Sequence, residues 1–530
     1  MSFGGDAANP FTRIDPNPSS ISMEGLPFHS WFTGDDFARA ADVPFHTEYQ
    51  GPVPTPSEDT DVVVVGGGIS GLTTAYLLRE HRPIVLELHP KFGGNAQGEQ
   101  WQDTAYSLGS AYIITPDEGG FLERFYKDLG LDQVQRTSFP PDPMAFGGNI
   151  EPDYWSGTGV TAQERDAFER YARVVKYMAE EEYPEIPLSS STADADAVRA
   201  LDRKTFREDL EERMGIPLTP LLTSGVQSYF YSSFGAGIDE ISAAAGWNFL
   251  AAEEFGRWVF PGGNAYMAWA LWTRLRAVEA SGPPGSDMLR SSCTVVDARR
   301  SGDRYIVTYV DPDGTERSIR TKFVVMAGSK HIVKYFLQGV QAQDPEKFTA
   351  MREIDTAAYV TANVLLDAPV TRDFYDLFLI NDDAFPLTPG EFESGSRPVD
   401  VLNGNFALPD STPRSSLTLY WPLPWFTARF GLLDDHGWRR YTTSIADDVR
   451  YSLRLLNIAE SSVRQVRLSR WGHALPIAKP HFIADGHAEH LRRPFDDRVY
   501  FANQDNWALP AIENSLIDAS WVAEQIRARL

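Results

Sequence analysis

Gly66, Gly68 and Gly71 follow directly on the run Asp61-Val62-Val63-Val64-Val65, and their type and spacing suit the capture of a pyrophosphate. Glycine lets a backbone turn tightly and approach a phosphate closely. A helix opening at Ile69 and Ser70 would turn free N–H groups and a partial positive charge toward that anion. The β-branched run reads as a buried parallel strand, Leu72–Arg79 as the helix, and Ile84-Val85-Leu86-Glu87-Leu88 as a second strand. Glu87 ends that strand, where a carboxylate accepts hydrogen bonds from ribose hydroxyls and would repel a 2′-phosphate. Strand, glycine turn, helix, strand and acid together supply the context that a lone glycine motif lacks.

The elements that must position this site belong to a chain of 530 residues with one cysteine, 48 Lys+Arg and 73 Asp+Glu. That length allows a large core and several domain-sized units. The single Cys293 excludes an intramolecular disulfide and any cysteine-built metal cluster. A formal charge of −25 argues against a non-specific nucleic-acid binder and permits a cationic substrate. No apolar run is long enough for a transmembrane helix, and the first residues show no secretory pattern, so the expected compartment is the cytoplasm. No His/Asp/Glu spacing suggests a metal; His481, His487 and His490 fall in an irregular stretch.

Along the chain, residues 1–56 read as an irregular arm and linker that packs on the body through Phe28, Trp31, Phe32, Phe37 and Phe45. Residues 120–215 are helical in pattern, most clearly from Glu164 to Glu182. Trp258–Ala280 gives a strand, a Gly262-Gly263 turn and a helix. Strands are expected at 294–296, 305–309, 322–328 and 499–502, and a last helix from about Ile512 to Arg529.

After Glu87 come Leu88-His89-Pro90-Lys91-Phe92-Gly93-Gly94-Asn95, which resemble the Glu-x-x-x-Arg-x-Gly-Gly-Arg signature of the flavin-containing amine oxidase superfamily. That superfamily includes monoamine and polyamine oxidases, spermidine dehydrogenases and phytoene desaturases. Asn95 replaces its last arginine. Further islands are similar to the same family: Phe260–Asn264, Val295, Val324–Gly328 with Ala327, Arg498–Asp505, and Pro510–Ser515. Asn503 stands where the family usually has glycine. The resemblance implies that Gly93 and Gly94 lie against the FAD diphosphate and that Val295 contacts adenine. It implies that Asp505 bonds the ribityl chain or diphosphate, and that the helix start at Ala511 and Ile512 faces the flavin pyrimidine.

The resemblance also locates the catalytic region. Thr361 falls where amine oxidases carry a lysine beside the flavin N5, and Ala474 and Ala511 fall where they carry two guiding aromatic rings. His473 has three readings: a structural histidine, a substrate-facing acid or base, or a covalent link to flavin. Trp507 either lines the substrate cavity or packs within the FAD domain. Lys479 reads as a surface cation, and the aromatic stretch Tyr420–Phe426 as pocket wall, interface or core.

The implied architecture is α/β, with a Rossmann-type FAD-binding domain (GR2-like) assembled from 57–105, 257–330 and 470–530. An interleaved α+β substrate domain is built from 106–256 and 331–469. The implied function is FAD-dependent oxidation, by hydride removal from a small or medium organic substrate, with O2 or another electron acceptor. The alternatives are a redox-neutral isomerase or desaturase-like enzyme on a lipophilic substrate, and a non-catalytic FAD-binding protein. Homo-oligomer formation and the substrate's identity are left open.

Overall fold

The computed structural model describes residues 3–36, 49, 51–157, 159–188, 191–380, 397–409, 411–425, 428–433 and 435–530. Phe37, Phe45 and Phe426 lie outside the described residues.

Two large sheets carry the molecule. The first has seven strands in the order Leu289–Arg290, Ile84–Leu86, Glu58–Val65, Glu316–Met326, Arg304–Val310, Thr294–Ser301, with Val499–Phe501 also pairing Glu316–Met326. Its centre is parallel, from Leu289–Arg290 through Val499–Phe501; an antiparallel meander extends one side. The four valines Val62–Val65 explain why Glu58–Val65 is central. Side chains alternate across a strand, and here both faces are covered. Val62 and Val64 join one core, packed with Leu72 and Leu516; Val63 and Val65 join the other. Burying each valine is worth roughly 1.5–3 kcal/mol.

The second sheet has ten strands. Its central run is Asp376–Leu379, Asp400–Asn403, Ser415–Leu423, Thr356–Leu366 and Val463–Pro476. The helices Ala162–Glu180, Phe206–Met214, Pro220–Phe234 and Ala243–Ala252 pack together beside it. Phe206 is capped by a capping box between Thr205 and Glu208, which fixes that helix start. Trp247 packs on Phe206 and donates through Nε1 to Asp209 Oδ2 at 2.8 Å.

The described part of the N-terminal arm carries four short strands, where an irregular arm was expected. Phe11–Ile14 pairs in parallel with Gly98–Trp101, and Leu26–Phe28 and Thr33–Gly34 pair with Val463–Pro476. Its prolines and glycines hid strands too short to show a period. The aromatic load was the better guide: Phe3, Phe11, Phe28 and Phe32 are buried. The other expected elements appear with ends shifted by a few residues, as helices Ala162–Glu180, Ala265–Ala280 and Ile512–Arg527 show. The aromatic stretch from Tyr420 to Leu423 is the end of a strand. Among the described residues, no helix is long and apolar enough to cross a membrane, and no group of His, Cys, Asp and Glu could hold a metal ion.

Candidate active site

One cavity of about 1150 Å³ runs from the glycine turn of the first sheet to the inner face of the second. At its first end Gly66, Gly68, Ile69, Ser70, Glu87, Leu88, Gly93, Gly94 and Asn95 form the wall. Gly66 has φ +110°, and a Cβ on Gly71 would sit 1.9 Å from the Gly66 carbonyl oxygen, so neither position admits a side chain. Gly71 itself stays behind the wall; its role is to let the helix Ile69–Leu77 start against the turn. Glu87 is held by two backbone donors: Gly67 N–H gives to Oε2 at 2.6 Å and His89 N–H to Oε1 at 2.7 Å. Both oxygens keep lone pairs for a further donor. Cys293, Thr294 and Val295 close this end, with Cys293 N–H donating to Glu87 O at 2.8 Å.

The middle of the cavity is bounded by Ala327, Asn503, Gln504, Asp505, Ala511, Ile512, Ser110 and Ala111. Asp505 Oδ2 accepts from Ser329 Oγ at 3.0 Å and from Lys330 N–H at 2.8 Å. Asn503, at the position where glycine was expected, ties two strand ends: its Nδ2 donates to Gly328 O at 2.9 Å and its Oδ1 accepts from Lys330 Nζ. Burial lowers Lys330 to about 8. Asn95, in place of the expected arginine, donates to Ala474 O at 2.6 Å.

These residues fit a dinucleotide carrying a flavin. Two helices, Ile69–Leu77 and Ile512–Arg527, begin at the cavity, and neither has a side-chain cap. Each therefore turns unsatisfied N–H groups and the positive end of its dipole into the same space. One suits the diphosphate of FAD and the other a flavin pyrimidine.

The far end is the inner face of the second sheet. Registration places Phe378 opposite Asp400, Asp400 opposite Tyr420, and Tyr420 opposite Thr361, so these four share one face. Asp376, Leu402 and Tyr359 stand two positions away and line the cavity too. Thr361 Oγ1 donates to Leu108 O at 2.6 Å, and Tyr420 Oη donates to Gly109 O. Both clamp the loop that leads to Ser110. No lysine lines the cavity among the described residues.

His473 lines the cavity with its Nδ1 2.7 Å from Thr356 Oγ1 and 3.4 Å from Arg429 Nη1. A guanidinium only donates, so Nδ1 is an acceptor and the ring is neutral with its proton on Nε2. Trp507 is corrected: it is not on the cavity wall. It is buried in the first sheet's layer, donates through Nε1 to Asp518 Oδ2 at 3.2 Å, and carries Arg492 over its ring. Its place beside the cofactor loop suggested exposure to the cavity, but the hydrogen bond to Asp518, on the helix Ile512–Arg527, holds it in the core.

Sequence reasoning missed the charged side chains of the far end. Arg257 is fully buried, paired with Asp142 Oδ1 at 2.5 Å and Glu253 Oε2 at 3.1 Å. Glu253 accepts from Tyr112 Oη at 2.7 Å and Tyr229 Oη at 3.1 Å. Asp376 and Asp400 are buried on the cavity wall. Burial and the neighbouring Asp142 push Asp400 up to about 7, while burial and Asp400 push Asp376 well above the carboxylate range. The signal was present: an acid two positions from Phe378 or Leu402 in an alternating strand must face where they face.

Residues 64–129 match a family model for an NAD(P)-binding Rossmann-like domain. The oxidoreductase PigB of Serratia sp. is 22% identical over 546 residues, covering 90% of this chain and 78% of that protein. The flavin-containing amine oxidase A of Canis lupus familiaris is 43% identical over 109 residues, which cover 16% of this chain and 20% of that protein. Among solved structures, a putrescine oxidase bound to putrescine superposes with TM-score 0.63 at 14% identity, over 89% of this chain and 99% of that one. The cyclohexylamine oxidase of Brevibacterium oxydans does so with TM-score 0.62 at 16% identity, over 89% and 99%.

Proposed function

We propose that the chain is an FAD-dependent oxidoreductase of the flavin-containing amine oxidase superfamily and that it removes a hydride from a small or medium organic substrate held against the second sheet. The observation that supports this reading is the continuity of the cavity: the cofactor cradle and a partly polar, ring-lined chamber are one space. The relatives named above as acting on putrescine and cyclohexylamine make an amine the first candidate.

In this reading Gly66, Gly68, Gly93 and Gly94 hold the diphosphate through bare backbone, Glu87 takes the ribose, Val295 meets adenine, and Asp505 takes the ribityl side. When bound, FAD supplies the two-electron acceptor for the substrate C–H bond. The residues of the chain bind and orient. The N–H groups at Ile512 would favour negative charge at the pyrimidine edge of a bound flavin. The clamp of Thr361 and Tyr420 on Leu108 and Gly109 fixes the loop against which the substrate is pressed. Neutral His473 offers a hydrogen bond without adding charge.

Anaerobic mixing of the yellow holoenzyme with a panel of amines, alcohols and unsaturated chains tests this. Lasting bleaching of the flavin band by one class is the expected result. Product formation without lasting bleaching would instead establish redox-neutral isomerisation. A protein that binds FAD but whose spectrum no compound perturbs would sink the catalytic reading.

A further inference from the structure

Resting on that reading, we propose that Asp376 and Asp400 receive a positively charged nitrogen at the end of the substrate remote from the oxidised carbon. The two carboxylates stand diagonally on adjacent antiparallel strands and face the same cavity. Asp400 Oδ2 accepts from Ser232 Oγ. Among the described residues, the Oδ1 atoms of Asp376 and of Asp400 are buried without a hydrogen-bond partner, although buried polar atoms are nearly always satisfied. The nearby cation, Arg257, is ion-paired with Asp142 and Glu253 and hydrogen-bonds neither carboxylate of the pair, although its Nε and Nη1 make no hydrogen bond among the described residues. Four acids therefore surround one guanidinium in this corner. Two adjacent buried carboxylates do not both ionise unless a cation lies between them.

The surroundings define the ligand further. Phe378 and Leu402 flank the pair on its own face, and Phe249 and Phe255 line the same cavity. This suits an ammonium or guanidinium at the end of an apolar stem. Asp400 lies two strands from Thr361, about 10 Å at ordinary strand spacing. That is the reach of a short aliphatic chain rather than of a single small amine.

The test uses the wild-type holoenzyme under anaerobic conditions, with flavin absorbance as the readout. The probes are α,ω-diaminoalkanes of three to eight carbons, with 1-aminobutane and N-acetyl-1,4-diaminobutane beside the four-carbon diamine. At least one diamine is expected to half-saturate the spectral change at a concentration about tenfold or more below its monoamine and its N-acetylated form. Asp376→Asn and Asp400→Asn, checked for a wild-type flavin spectrum, are expected to remove that preference. Equal half-saturation by diamines and monoamines, no perturbation by any diamine, or a preference that survives both substitutions overturns the proposal. Bleaching by monoamines without diamine preference leaves the oxidase reading standing and the acid pair refuted. Diamine-selective perturbation without bleaching does the reverse.

Discussion

The imidazoles of His331 and His473 stack with centroids 4.2 Å apart and planes 31° from parallel. The contact places two titratable rings beside Arg429 and Lys334 at the edge of the cavity. Burial, then the mutual and neighbouring positive charges, lowers His473 to about 3; burial, then Lys334 and Arg429, lowers His331 to about 4.

Both histidines bind protons more weakly in the folded chain than in the unfolded one. Their contribution is therefore intact above pH 6.5 and is lost as pH falls through about 4 and about 3. Asp400, raised to about 7, has the opposite sign and favours the fold as pH falls. A comparison isolates the histidines. Between pH 6.5 and 4.5 the thermal midpoint of the His331→Gln, His473→Gln double variant is expected to fall less than that of the wild type. Parallel curves would show that the pair does not titrate against the fold.

Glu87 receives two backbone N–H groups and stands on the cavity wall. Glu87→Gln exchanges one accepting oxygen for a donor that faces a donor. FAD affinity is expected to drop about tenfold or more, near 1.4 kcal/mol, measured by flavin fluorescence on reconstitution. Gly71→Ala is expected to yield protein without the yellow cofactor, because its Cβ meets the Gly66 oxygen at 1.9 Å. Normal flavin content in that variant would contradict the glycine-turn geometry.

Trp507 and Thr361 separate structure from site. Trp507→Phe loses the bond to Asp518 and is expected to cost about 1 kcal/mol in chemical denaturation, with kcat kept within about twofold. Thr361→Val leaves Leu108 O to Trp471 Nε1 alone and loosens the cavity loop. It is expected to lower kcat about tenfold with a smaller loss of stability. The reverse ranking would place Trp507 at the chemistry.

The cofactor end of this site was legible because its physics is local. A valine run, three glycines and an acid lie within one β-α-β unit, so spacing along the chain equals placement in space. At the far end the resemblance placed Thr361, but the acids Asp376 and Asp400 were not read, because they meet Tyr420 and Thr361 only through strand registry across distant segments. Trp507 shows the intermediate case. Its position near the cofactor loop could be read, but its direction depended on a partner, Asp518, on the following helix. The arm failed for a third reason: strands of three or four residues carry too few alternations to reveal a period.

Thr33 bonds Ser469 from 436 positions away, at 2.7 Å, and Leu26–Phe28 adds a strand to the same late segment. During synthesis Phe28 and Phe32 must therefore wait, unmatched, until the segment Val463–Pro476 has left the ribosome. Closure over so long an intervening length is slow, and exposed strand edges invite mispairing in the interval. Yield from an expression host should consequently depend on chaperone supply more than on the resilience of the finished enzyme.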